Sequence, residues 1–107
     1  MANVYTNAKV DLTTTSVTTL YTAPALTTSI VSSILVSEDS GNADTITLTL
    51  TNSASAVFSL FKTKAVSANV TVELLTAPLV VQTGEILKAT AASSNRLHVV
   101  ASILEVT

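Results

Sequence analysis

Any chemistry in this chain has to begin at His98, its single histidine. A hydrolytic reading would need Ser94 or Ser102 as nucleophile and an aspartate or glutamate to orient the ring. Neither Gly41 nor Gly84 brackets a serine, so no nucleophile elbow is present. The acids are Asp11, Glu38, Asp39, Asp44, Glu73, Glu85 and Glu105. A glycosidase-like pair would need two of them facing across a cleft with one held protonated, and no spacing here imposes that. Glu38, Asp39, Ser40, Asn42 and Asp44 gather oxygen atoms in one short turn. Calcium takes six to eight oxygens, and the EF-hand supplies them from a longer loop closed by a glutamate. The segment therefore reads as a solvated turn with no more than weak cation affinity. No catalytic residue, metal or cofactor is expected.

The composition excludes further classes. The chain has 107 residues, room for one ordinary domain with a modest core. Its charged residues amount to 11%, against about 25% in an average globular domain. Polar faces must then be built from Thr, Ser and Asn, and a hydroxyl surface is cheaper to dehydrate than a Lys/Glu surface. That suits a protein packed against neighbours. The net charge of −2 argues against a nucleic-acid partner, which would need clustered Lys and Arg. Lys62 and Lys64 form the only local basic pair, and on a strand edge they read as a guard against unwanted pairing. There is no cysteine, so disulfides, thiol catalysis and Cys-liganded zinc are excluded. Two glycines leave no phosphate-cradling loop. Asn69-Val70-Thr71 fits a glycosylation acceptor, but MANVYTNAKVDL has no secretory pattern to give it meaning. No apolar run is long enough to span a membrane, so the expected place of synthesis is the cytoplasm.

Val, Ile and Thr recur throughout and favour strands. Strands are expected at 4–10, 17–22, 28–37, 45–51, 56–64, 70–74, 86–91 and 97–106, with 79–81 either a short edge piece or a crossing segment. TITLTLT at 45–51 alternates most cleanly, with Ile46, Leu48 and Leu50 on one side. In TSIVSSILVS, period two places Ile30, Ser32, Ile34 and Val36 on one face and Val31, Ser33 and Leu35 on the other. Between 56 and 64, Phe58 and Leu60 point inward, while Val57 and Phe61 on the opposite parity call for a bulge or a covered second face. The serine-rich turn at 93–95 reads as a hairpin joining the last two strands. The closing strand is apolar on both parities, which places it centrally or at a subunit contact. The sum is an all-β protein: an antiparallel two-sheet β-sandwich, jelly-roll-like, with seven or eight short strands. Residues 1–16 read as an N-terminal strand or extended arm, and 17–107 as a single sandwich domain.

Thr-Ala-Pro occurs twice, at Thr22 to Pro24 and at Thr76 to Pro78. Proline forces its predecessor out of helix and ends a ladder, so both copies read as punctuation where the chain crosses between sheets.

LYTAP at 20–24, followed by TTSIVSSILVSE, TITLTLTN and VELLTAPLVVQTGEILKATAASSNRLHVVASILEV, resembles the small β-sandwich structural proteins of tailed bacteriophage virions. The likeness covers residues 17–107, with Gly84-Glu85 and the stretch from Leu87 to Ala91 its most distinctive parts. The chain departs in having few turn glycines and a longer N-terminal lead. The resemblance implies a non-enzymatic virion component. A capsid decoration or cement protein comes first, seated on the major capsid protein and often trimeric. A tail, neck or fibre-associated protein comes second, and a carbohydrate-binding surface module, for which Tyr5 and Tyr21 are the available aromatics, comes third.

Self-association would use backbone edges and apolar strand faces. Position alone nominates Val4, Tyr5, Leu12 and Val17 in the N-terminal lead and strand start, with His98 and Val100 on the less core-like parity of the closing strand.

Overall fold

The computed structural model describes residues 3–107. Nine strands form: β1 Asn3–Leu12, β2 Thr18–Thr22, β3 Thr28–Glu38, β4 Asp44–Thr51, β5 Val57–Val66, β6 Thr71–Glu73, β7 Leu79–Val81, β8 Ile86–Ala91 and β9 Leu97–Val106. They make two antiparallel sheets. The first runs β1-β9-β3-β6, with β7 also paired to β3; the second runs β2-β8-β4-β5. Here they are the outer-row sheet and the threonine sheet, after the residues on their free faces. Taking β6 and β7 as one interrupted strand gives the jelly-roll order, in which the last strand returns between the first and third.

Leu12, Val31, Ile34, Val36, Leu97, Val99, Ala101 and Ile103 from the outer-row sheet meet Leu20, Ile46, Leu48, Leu87, Ala89 and Ala91 from the threonine sheet in one buried core. On β8 and on β4 as far as Thr49 the alternation is regular; at the end of β4 it fails, with Leu50 half-buried and Thr51 buried. Ile46, Leu48, Leu87, Ala89 and Ala91 go inward, while Thr45, Thr47, Thr49, Lys88 and Thr90 face out.

Three expectations need correction. β8 and β9 do not form a hairpin: β8 pairs with β2 and β4, whereas β9 pairs with β1 and β3. The serine-rich turn carries the chain across the core instead, and both strands are central in their sheets. Next, the faces of β3 switch partway along. A register shift against β9 between Val31 and Ser33 inserts one extra residue, so Val31 and Ile34 both face the core, and Ile30 and Leu35 both face out. Finally, Phe58 is exposed rather than inward. The β4–β5 register shifts twice, on either side of Leu48, and this breaks the alternation that period two would impose.

The two Thr-Ala-Pro copies differ. The first joins β2 in one sheet to β3 in the other, and Ala23 is held there by hydrogen bonds with Glu85 and Gly84. Thr83 reinforces the joint by accepting from the Thr27 amide at 3.1 Å and donating to the Thr27 carbonyl at 2.7 Å. The second copy does not cross sheets. It separates β6 from β7, which lie along the same edge of β3.

Candidate functional site

The free face of the outer-row sheet carries Tyr5, His98 and Val100, three of the six nominated contact residues. Directly paired residues of antiparallel strands share a face, so the register reads off rows across the sheet. One row is Tyr5 on β1, Leu104 on β9, Ile30 on β3 and Val80 on β7. A second is Lys9, Val100, Leu35 and Glu73. Between them lies a polar row of Asn7, Ser102 and the serines of the β3 bulge. At the far end stand Asp11, His98 and Ser37. Tyr5 is 85% exposed, and Val80, Leu35 and Val100 are exposed as well. A groove of about 540 Å³ runs between the Tyr5 row and the polar row, lined by Tyr5, Asn7, Ile30, Ser32, Ser102 and Leu104 among others. The opposite outer face of the sandwich is threonine and lysine across β4 and β8, with Val57 and Phe58 exposed on β5 at its edge. Apolar exposure thus forms rows across the first sheet and is confined to the β5 edge of the second.

The six nominated contacts separate on inspection. Tyr5, His98 and Val100 share this face. Val4 points to the other side of β1 but is half exposed at the strand's end. Val17 is exposed in the loop before β2. Leu12 is corrected: it has no exposed surface and belongs to the core, because it sits on the inward parity of β1 opposite the buried Leu97. The sequence reading missed Ile30, Leu35, Val80 and Leu104. The two β3 residues were hidden by the bulge, Val80 joins the face only through strand pairing, and Leu104 shares the parity of His98 and Val100 on β9 but was not nominated. It also missed Leu26, which is 90% exposed with a left-handed backbone (φ 57°) in the loop between sheets.

His98 lies between two carboxylates. Its Nε2 is 3.2 Å from Asp11 Oδ1 and its Nδ1 is 3.5 Å from Asp39 Oδ2. All three side chains are substantially exposed. Ser102 lies on the same face four residues along the strand, about 13 Å away at strand rise, far outside hydrogen-bond reach. His98 thus stands within ion-pair distance of an acid on β1 and one in the β3–β4 turn, and links the ends of these elements to β9. No group of three or more His, Cys, Asp or Glu side chains among the described residues is arranged to hold a metal ion.

The remaining acids anchor backbone, a role the sequence reading did not foresee. Glu38 is buried rather than solvated. Its carboxylate accepts from the Ser40 amide and hydroxyl, the Gly41 amide at 3.0 Å and the Asn69 amide at 3.1 Å. Burial pushes its pKa up, but these donors outweigh burial and hold it at about 2. Asp44 is also buried and accepts from the amides of Thr45 and Ser93. Glu73 accepts from the Ser33 hydroxyl and from the amides of Ile34 and Leu75, which fastens the β3 bulge. Those donors hold its carboxyl below the usual range despite the opposing effect of burial.

Tyr21 is not available to a ligand groove with Tyr5. Its hydroxyl bridges the two sheets, bonded to Ser29 Oγ at 2.6 Å and Glu105 Oε2 at 2.5 Å.

No protein-family model matches the chain, and no curated protein or solved structure shows significant similarity to it.

Proposed function

We propose that this chain is a non-enzymatic structural protein of a bacteriophage virion, most simply a decoration protein that stabilises the head shell. The observation that carries the proposal is the asymmetry of the sandwich. One outer face is threonine and lysine across β4 and β8, with exposed Val57 and Phe58 only at its β5 edge, and the other presents an apolar row of Tyr5, Leu104, Ile30 and Val80 and a second of Val100 and Leu35 flanked by Lys9 and Glu73. A protein acting alone in water gains nothing from that arrangement, whereas a protein seated on a shell buries the apolar side and wets the other. The resemblance over residues 17–107 supports a virion as the assembly. Jelly rolls serve in capsid and lectin domains alike, so the fold adds only compatibility. In this reading the His98 cluster serves as a clasp between β1, β9 and the β3–β4 turn.

A tail or neck location is a second reading, favoured by the regular, unpaired outer edge of β1, through which subunits could share a sheet. Imaging of the intact particle tests both. Density for this chain on the head surface, with the Tyr5 and Val100 rows facing the shell, is the expected result. Density in a tail ring selects the second reading. Absence from purified particles overturns both.

A further inference from the structure

The four sheet edges are not alike. The β6/β7 edge is two three-residue pieces broken at Pro78. The β5 edge carries two register shifts, Lys62, Lys64 and a left-handed Thr63. The β2 edge is five residues long with a shift between Thr19 and Tyr21. These are the devices by which proteins blunt edges. β1 has none of them except Lys9: ten residues run against β9 without a shift and without proline.

We infer that the β1 edge is a docking site for β1 of a second copy of this chain, antiparallel about a two-fold axis at Asn7. The inference deepens the assembly reading and rests on it for its biological setting. In a two-fold antiparallel pair, both the side-chain face and the hydrogen-bonding direction alternate along the strand. Residue numbers facing each other must therefore sum to an even number. Centring on Lys9 sets two ammonium groups opposite each other. Centring on Ala8 sets Asp11 against the electron-rich ring of Tyr5. Centring on Val10 leaves only five described residues of β1 paired, 8–12. Centring on Asn7 pairs 3–11 and places Lys9 of each copy beside Tyr5 of the other, a favourable cation–ring contact. It also sets Asn3 against Asp11 and Val4 against Val10.

The same register joins the outer rows. Val80, Ile30, Leu104 and Tyr5 of one copy continue directly into Lys9, Val100, Leu35 and Glu73 of the other. The polar row of Asn7 and Ser102 continues into itself across the axis. The apolar rows of one subunit, separated by serines, thus become two rows running across the strands of the paired sheets. Tyr5, the most exposed of these residues, becomes their junction.

The chain has no cysteine, so engineered thiols report the register directly. Asn7→Cys should cross-link to itself under mild oxidation or with a short bis-maleimide, at least about tenfold faster than Tyr5→Cys or Lys9→Cys alone. Each of those residues lies four positions, about 13 Å, from its own copy in this register. The double variant Tyr5→Cys/Lys9→Cys should link twice per dimer. Light scattering on the unmodified chain should give twice the 11.0 kDa chain mass at high concentration. A monomer throughout, or Lys9→Cys linking as readily as Asn7→Cys, overturns the inference. If particles contain the chain but Asn7→Cys stays unlinked in them and in free solution, the pairing fails and the virion reading stands. If the free chain links at position 7 but never enters particles, the reverse holds.

Discussion

The Tyr21 hydroxyl on β2 donates to the Glu105 carboxylate on β9 at 2.5 Å, across the gap between the two sheets. Ser29 on β3 completes the contact at 2.6 Å, and Ser29 and Glu105 are themselves paired across β3 and β9. Three strands from two layers are thus pinned at one end of the sandwich, where the apolar core runs out.

Tyr21→Phe should therefore loosen that end. Loss of one charge-assisted bond, with Glu105 still partly able to reach water, costs about 1–2 kcal/mol. Urea unfolding measures it. Burial and the Glu105 carboxylate push the Tyr21 phenol from 10.0 up to about 12. Because the folded value is the higher one, the phenol's contribution is fully present below pH 10 and is lost as pH rises through about 12. In a Tyr5→Phe background, phenolate absorbance should show ionisation delayed into that range, together with unfolding.

Glu38 gives the opposite sign. Its folded value, about 2, lies below the ordinary 4.5, so its contribution is present above pH 4.5 and fades as pH falls towards 2. Glu38→Gln places an amide nitrogen among amide donors that need an acceptor, and should lower stability at neutral pH. The decisive readout is the acid limb: melting temperature should fall less steeply between pH 4.5 and 2 in the variant than in the parent. An unchanged slope would assign the acid sensitivity elsewhere.

Leu12 and Val100 make a contrasting pair. Leu12→Ala removes a fully buried side chain from β1 and should cost about 2–5 kcal/mol, read by denaturant midpoint. Val100→Asp stands on the outer face and should leave that midpoint within about 0.5 kcal/mol. It should instead abolish particle incorporation, measured by the ratio of this chain to shell protein in purified particles.

Glu73→Ala should release the β3 bulge. Hydrogen exchange at the amides of Ile34 and Leu75 should accelerate, while the amides of β8 keep their protection.

Strand positions were legible because Val, Ile and Thr alternate with few interruptions. The eight expected strands each overlap an observed one, with ends moved by no more than two residues, and the ninth, at 79–81, is the segment that read as either an edge piece or a crossing. What alternation could not deliver was anything that depends on a single inserted residue. Ser32 and Ser33 look like two ordinary strand positions, yet the extra residue turns Ile30 and Leu35 outward and Ile34 inward. The same limit applied to Phe58, whose strand loses register twice. Pairing was equally hidden. A short polar turn such as 93–95 serves a hairpin or a crossing equally well, and only the partners of β8 and β9 decide. Of the candidate face, His98 and Val100 were readable from the parity of β9, and Tyr5 only from its place in the N-terminal lead. Val80 was not, because a three-residue strand has too little periodicity to declare a side. The acidic turn was misread for a related reason: composition marks Glu38 as soluble, and only the convergence of four donors shows why it is buried.

The second Thr-Ala-Pro segment leaves β3 with a flank that no incoming strand can follow for more than three residues at a time. Any lateral growth of this sheet through backbone bonding therefore terminates on that side. Backbone pairing through the β1 margin of this sheet can join two copies and then has no second regular margin on which to continue.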